Sequence, residues 1–224
     1  MKNISGKKIL SLQGNYSKQI LLLHGQTAGS LSEKLEKNAL KWADKITVPS
    51  KEMYQEYVKN GYKVSYVPNA IDISSFSHDE DRRYQKQLIY AGRLSEEKGI
   101  LDLLNFLKLL SKDIHLIILG SGPEESKVKV MAKIHPNLHF LGYQSKENTI
   151  KLIRGSDMLI QPSLMEGGTS STILEAMACK TPIIATSVDG NKDTIIHMKT
   201  GYVIASNNPP EIHDAVNYLF NNPE

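Results

Sequence analysis

Six short apolar runs alternate with helix-period patterns from Gln87 onward, and this alternation restricts the fold more than any other feature. The runs are residues 88–92, 114–120, 138–142, 158–162, 182–186 and 202–205. Each is bounded by glycine, proline or polar residues, as strands are. Between them, Ile100, Leu103, Leu104, Leu107 and Leu110 mark one helix face, and residues 124–134, 147–153, 172–178 and 210–220 repeat the pattern. Strands separated by helices imply a parallel sheet covered on both faces, an α/β Rossmann-like domain. Such sheets bind ligands beyond the carboxyl ends of their strands, so the loops after Gly92, Gly120, Gly142 and Pro162 are expected on one rim.

The first 75 residues carry a shorter version of the pattern. KKILSL and QILLLHG are expected to be strands, followed by an amphipathic helix from Leu31 to Ala43 with Leu31, Leu35, Ala39 and Trp42 on its apolar face. KITVPS then reads as a strand, Lys51 to Lys59 as a helix and KVSYVPNAI as a last strand. The polar segment up to Lys86 offers little to bury and reads as a linker. The expected division is an incomplete Rossmann-like segment at 1–75, a linker at 76–86 and a Rossmann-like domain at 87–224.

Composition excludes some classes of function. The 27 basic and 24 acidic side chains are spread along the chain, and the basic runs are pairs such as Lys7-Lys8 and Arg82-Arg83. No concentrated basic stripe suggests nucleic acid. A single cysteine, Cys179, allows no internal disulfide or cysteine-rich metal site. The apolar runs are too short to span a membrane and the N-terminus has no signal-peptide core, so a cytoplasmic protein is expected. Lys34, Lys37 and Lys41 on the helix before Trp42 are compatible with peripheral contact at the inner face of the cell membrane, but an ordinary solvated face is the plainer explanation.

Three stretches carry candidate chemistry. In YAGRLSEEKG, a strand ends at Gly92, and Arg93 and Lys98 follow in the loop, where two cations can hold a diphosphate. In LGSGPEE, Gly120 and Gly122 flank Ser121 after a strand and permit close backbone approach, without the spacing of the dinucleotide fingerprint. In PSLMEGGTSSTILEAMA, Glu166 and Glu175 bracket Gly167, Gly168 and a hydroxyl-rich run. Carboxylates accept hydrogen bonds from vicinal hydroxyls, and glycines before a helix expose N–H groups to an anion. The plain alternative is a helix capped by residues 169–171. His24, before Gly25, could meet a phosphate or sugar hydroxyl or be a plain loop residue. The other histidines have no metal-ligand spacing, and no aspartate cluster suggests a divalent metal.

In order and spacing, ADKITVPS, VPNAID, YAGRLSEEKG, LIILGSGPEE, HFLGY, the segment 156–190 and GYVIA resemble the retaining GT-B glycosyltransferases of family four, glycosyltransferase group 1. The resemblance covers roughly Leu35 to Phe220. It implies two Rossmann-like domains facing across a cleft, the C-terminal one binding a nucleotide-sugar donor and the N-terminal one a sugar, lipid-linked or glycan acceptor. It implies a catalytic set of Arg93, Lys98, Glu166 and His24, with the two cations stabilising the leaving diphosphate. The implied donor-binding set is Gly92, Gly120, Ser121, Gly122, Phe140, Tyr143, Gly168, Thr169, Ser170 and Glu175. No metal or other cofactor is implied. The retaining reaction is described as front-side attack assisted by the leaving phosphate, and no protein base is assigned.

Three departures qualify the match. Glu166 and Glu175 stand nine positions apart, one more than the family pattern. Ala70 replaces the usual glycine of PNGVD. The chain also lacks most of an N-terminal domain and the final helices of such enzymes, which implies an excised piece, a truncation or a subunit completed by a partner chain. A non-catalytic nucleotide-sugar-binding module and a related GT-B sugar epimerase are the alternatives to transfer.

Overall fold

The computed structural model describes residues 6–74, 76–188 and 190–222, except the side chains of residues 16, 18, 19 and 22–24. The chain forms two parallel sheets. The first contains β1 (Ile9–Ser11), β2 (Lys45–Val48) and β3 (Val64–Tyr66) in that order, connected by α1 (Tyr16–Trp42) and α2 (Lys51–Lys59). The second is formed by β4 (Gln87–Ala91), β5 (His115–Leu119), β6 (Leu138–Gly142), β7 (Met158–Gln161), β8 (Ile183–Thr186) and β9 (Tyr202–Ile204). Its order is β6-β5-β4-β7-β8-β9, and all neighbours are parallel. Connections run outward in both directions from the β4–β7 pair. That is the topological switch point, where doubly wound sheets open a crevice for ligand.

Strand side chains alternate between faces. Leu88, Tyr90, Leu116, Ile118, Ile160 and Ile184 enter one buried cluster. There they meet residues of α3 (Ile100–Phe106), α4 (Glu125–Ile134) and α8 (Pro209–Asn221). Ile89, Ile117, Leu159, Ile183 and Ala185 enter the other, covered by α5 (Lys146–Arg154) and α6 (Ser171–Cys179). A short α7 (Asn191–Thr194) follows β8. Burial on both faces explains why these strands read as continuous apolar runs. Cys179 is buried and unpaired in the second cluster.

Two expectations for the N-terminal segment need correction. QILLLHG is helical, the first part of α1, and not a strand. A short apolar run cannot be told from a buried helix by periodicity alone. Here it continues into the next helix, interrupted only where Gly25 takes φ 80° and ψ −178°, a conformation open essentially to glycine. The buried face of α1 is also not the expected one. Leu31 and Leu35 are 61% and 62% exposed, whereas Leu40 is buried and Glu36 turns inward. Glu36 accepts hydrogen bonds from Tyr57 and Ser17, so a carboxylate occupies a position that an apolar pattern does not reveal.

The segment before β4 is less exposed than its polarity suggests. Phe76 and Tyr84 pack on the second core cluster. Arg82 donates to the Gly155 carbonyl and pairs with Asp157 at 2.7 Å. Tyr84 stacks on His115 and His139 and hydrogen-bonds His139 Nδ1 at 3.1 Å.

Candidate functional site

The ends of β4, β5 and β6 open into a cleft of about 440 Å³. Gly92, Arg93, Gly120, Ser121, Gly122, Tyr143, Gln144 and Thr172 line it, which brings together three separate sequence motifs. Close packing beneath the cleft requires glycine. A Cβ on Gly120, whose φ is +127°, would stand 1.8 Å from the Gly92 carbonyl oxygen. Leu94 N–H donates to the Ser121 carbonyl and ties the two loops together. Arg93 is exposed at the cleft, while its carbonyl accepts a 2.8 Å hydrogen bond from the buried Tyr90 hydroxyl. Burial, with lesser contributions from Glu166 and Glu97, raises the Tyr90 pKa and keeps the phenol protonated as that donor. Tyr90 lies in an apolar run, and nothing in its sequence context signals this role.

Lys98 occupies a neighbouring compartment. It ends a 3₁₀ turn (Glu96–Lys98), and its Nζ stands 2.6 Å from Glu166 Oε2, with side-chain exposures of 25% for Lys98 and 6% for Glu166. Backbone bonds from Leu164 and Met165 N–H to the Glu97 carbonyl bring the two loops together. Ser163 Oγ donates to Glu166 Oε1 at 2.7 Å. Lys98 and Glu166 are joined as a pair, but neither lines the cleft that Arg93 lines.

The loop from Glu166 to Ser170 is held from both sheets. A Cβ on Gly167 would stand 1.8 Å from the Gln13 carbonyl oxygen, so the loop after β1 rests directly on it. Asn69 Nδ2 donates to the Thr169 carbonyl at 2.9 Å. Across the same junction, Lys51 N–H donates to Asp193 and Lys192 pairs with Glu52 at 3.2 Å. The capping alternative is not what forms: Ser170 is the N-cap of α6 but makes no side-chain capping bond. The Thr169 hydroxyl instead donates to the Gly190 carbonyl and meets Thr194, and Thr172 Oγ1 donates to the Ala91 carbonyl at 3.1 Å. The Thr169 hydroxyl ties the loop to α7, and the Thr172 hydroxyl ties the first turn of α6 to β4.

The other expected residues divide. Glu175 lies one turn beyond Thr172 on α6 and is half-buried. Burial pushes its carboxyl pKa upward, against a smaller opposing effect of Lys146. Phe140 turns its ring into the first core cluster, with Lys129 over its face, so Tyr143 rather than the Phe140 side chain borders the cleft. His24 lies within α1, and its side chain is outside the described residues. A second cavity of about 630 Å³ lies between α1 and α2, lined by Ser17, Gln26, Glu36, Glu56 and Tyr57 among others. No residue expected from the motifs lines it. Among the described residues, no group of three or more His, Cys, Asp or Glu could hold a metal ion, and no helix is long and apolar enough to cross a membrane.

Comparison with known proteins identifies the family and the fold. The family described as "Glycosyl transferases group 1" matches residues 71–224. An uncharacterized glycosyltransferase of Methanocaldococcus jannaschii is 25% identical, across 97% of this chain and 58% of its own length. A phosphatidyl-myo-inositol mannosyltransferase of Mycobacterium leprae is 24% identical, across 70% of this chain and 44% of its own length. The chain therefore spans about half the length of these relatives. Among solved structures, S. aureus TarM, crystallised as a mutant with fondaparinux, alpha-GlcNAc-glycerol and UDP, superposes with a TM-score of 0.80 at 20% identity, covering 99% of this chain and 45% of TarM. Anabaena HepE, in complex with UDP and glucose, gives 0.78 at 17% identity, covering 96% and 62%. These likenesses are to the GT-B fold.

Proposed function

The chain belongs to the group 1 glycosyl transferases, and from that premise we propose that it carries the donor-binding part of a sugar-transferring enzyme. The donor is a nucleoside-diphosphate sugar and the acceptor a hydroxyl of a glycan, glycolipid or surface polysaccharide precursor. Transfer proceeds with retention of anomeric configuration. The observation that carries this reading is the cleft over β4–β6, where an exposed arginine meets two glycine-lined turns beside the switch point. Backbone approach at Gly120 and Gly122 admits a diphosphate, and the Arg93 guanidinium neutralises it. The UDP present in the TarM and HepE structures supports the same class of ligand.

In this reading Tyr143 and the backbone beside it border the nucleobase, and Glu175 binds the ribose hydroxyls. Glu166 lies by the donor sugar, with N–H groups of Gly168 and Thr169 near the sugar or phosphate. Lys98, in the neighbouring compartment, holds Glu166 and adds positive charge beside the leaving diphosphate as the glycosidic bond breaks. The acceptor side belongs to the first sheet and His24. Contact with a membrane surface and completion by a further polypeptide remain part of the proposal for the whole protein.

A thermal-shift and calorimetry screen against UDP-, GDP- and ADP-sugars tests the reading. Ligand at about a hundred times its Kd stabilises the fold by roughly 2.7 kcal/mol. The expected result is a clear upward shift with at least one nucleotide series. A flat response across all three contradicts it.

A further inference from the structure

A buried chain of polar side chains runs behind Glu166. Gln161 ends β7 and is 1% exposed, and Ser163 follows at 0%. Gln161 Nε2 donates to Ser163 Oγ at 3.2 Å, and Ser163 Oγ donates to Glu166 Oε1 at 2.7 Å. Lys98 Nζ meets the other carboxylate oxygen at 2.6 Å. The Ser163 carbonyl accepts from Thr186 Oγ1 at 2.5 Å, so β8 holds the same residue by its backbone.

The direction of the chain follows from its chemistry. A serine hydroxyl has one proton to give. The amide proton of Gln161 occupies its acceptor side, and the hydroxyl proton goes to the carboxylate. Flipping the Gln161 amide would set its oxygen against an oxygen whose proton is already committed. The serine thus donates only toward Glu166, and the glutamine makes that orientation the stable one. Hydrogen bonds to an ionised group are stronger and shorter than neutral ones. Gln161 is the last residue of the central strand β7, and Ser163 follows two residues on, where the loop begins.

We infer that Ser163, oriented by Gln161, is the positioning residue for the Glu166–Lys98 pair and sets how tightly the sugar part of the donor is held. This rests on the proposal that Glu166 lies by the donor sugar. Ser163 does not line the nucleotide cleft, so its influence passes through Glu166 and leaves recognition of the nucleotide alone untouched.

Calorimetry on the whole chain separates the two effects. The probes are UDP, GDP and ADP with their glucose, N-acetylglucosamine and mannose diphosphate derivatives. The quantity read is the affinity of the best sugar nucleotide divided by that of its free nucleotide. Ser163→Ala is expected to lower this ratio by about tenfold, the loss of one hydrogen bond to a charged group, with free-nucleotide affinity unchanged within about twofold. Ser163→Thr, which keeps the hydroxyl, restores the ratio. Ser163→Cys preserves volume with a weak donor and gives an intermediate ratio, which guards against an alanine variant that fails to fold. The inference is overturned if Ser163→Ala and Ser163→Cys keep the ratio while Glu166→Ala abolishes it. It is equally overturned if Ser163→Ala weakens nucleotide and sugar nucleotide alike, the mark of a merely structural role. A ratio unmoved by Glu166→Ala, or absence of nucleotide binding, would instead refute the donor-site reading beneath it, and the inference with it.

Discussion

Removing the Lys98 ammonium takes from the Glu166 carboxylate the cation that it faces. The pair stands at 2.6 Å, and the Glu166 side chain is 6% exposed. At an effective dielectric near 20, unit charges at that separation attract by about 6 kcal/mol, but desolvation of both groups offsets much of this. The measurable quantity is the cost of truncating one partner, about 3–5 kcal/mol for fully buried pairs. Lys98 is 25% exposed, and water reaching that side reduces the expected loss for Lys98→Ala to about 2–4 kcal/mol. Glu166→Gln, which keeps the acceptor for Ser163 but removes the charge, should cost less. The double variant removes both charges of the pair together, so it should recover about 1–3 kcal/mol relative to the sum of the single changes. Urea unfolding of the four proteins measures this coupling through their midpoints at constant slope. Strict additivity, or a Lys98→Ala protein within about 0.5 kcal/mol of the parent, would refute the claim that the two residues act as a unit.

Three further outcomes follow from the geometry. Glu175 has its pKa raised by burial, so ionising it opposes folding above the ordinary carboxylate range, while below that range the protonated form carries no such penalty. Glu175→Gln should therefore be more stable than the parent at pH 7, by less than about 1 kcal/mol for a half-exposed group, and equal to it near pH 4, as thermal melts would reveal; a benefit that persists at low pH would contradict this origin. His139 has its pKa lowered, chiefly by burial, then by His115 and Arg83. Its contribution to stability is present above the unfolded histidine value and is lost as pH falls through it; His139→Gln should flatten the decline between about pH 7 and pH 5, and an unchanged slope would refute the assignment. Gly120→Ala places a Cβ 1.8 Å from the Gly92 carbonyl at φ +127°, a backbone clash of the kind that costs over about 3 kcal/mol; a normal urea midpoint would show that the loops are not packed as described.

How far the sequence speaks depends on which force shapes each element. The strands of the larger sheet are legible because they are buried on both faces and bounded by turn residues. Their loops are legible as a site because strand ends in parallel sheets converge. Residues 19–25 mislead because a four-residue apolar run carries no period of its own, and Gly25 resembles a strand boundary while breaking a helix. The buried face of α1 misleads because Glu36 turns inward against Tyr57. At the candidate site, Arg93, the Gly120 turn and Tyr143 line one cleft. The division of labour between the two cations is not readable, because nothing in the spacing of Arg93 and Lys98 says that one lines the cleft and the other meets Glu166. Asn69 meets Thr169 from 100 residues away, a contact that a chain read linearly does not display; Tyr90, Gln161 and Ser163 bond to residues two or three positions away, but no motif spacing marks those contacts.

The central claim is that the cleft over β4–β6 binds a nucleoside diphosphate through Arg93. Arg93 is exposed and forms no ion pair with the described residues, so Arg93→Ala should leave the unfolding midpoint in place and isolate binding from folding. Calorimetric titration with the nucleoside diphosphate that binds the parent best is expected to show a loss of about tenfold or more in this variant, the worth of one charge-assisted contact. Equal affinity in the two folded proteins would contradict the account.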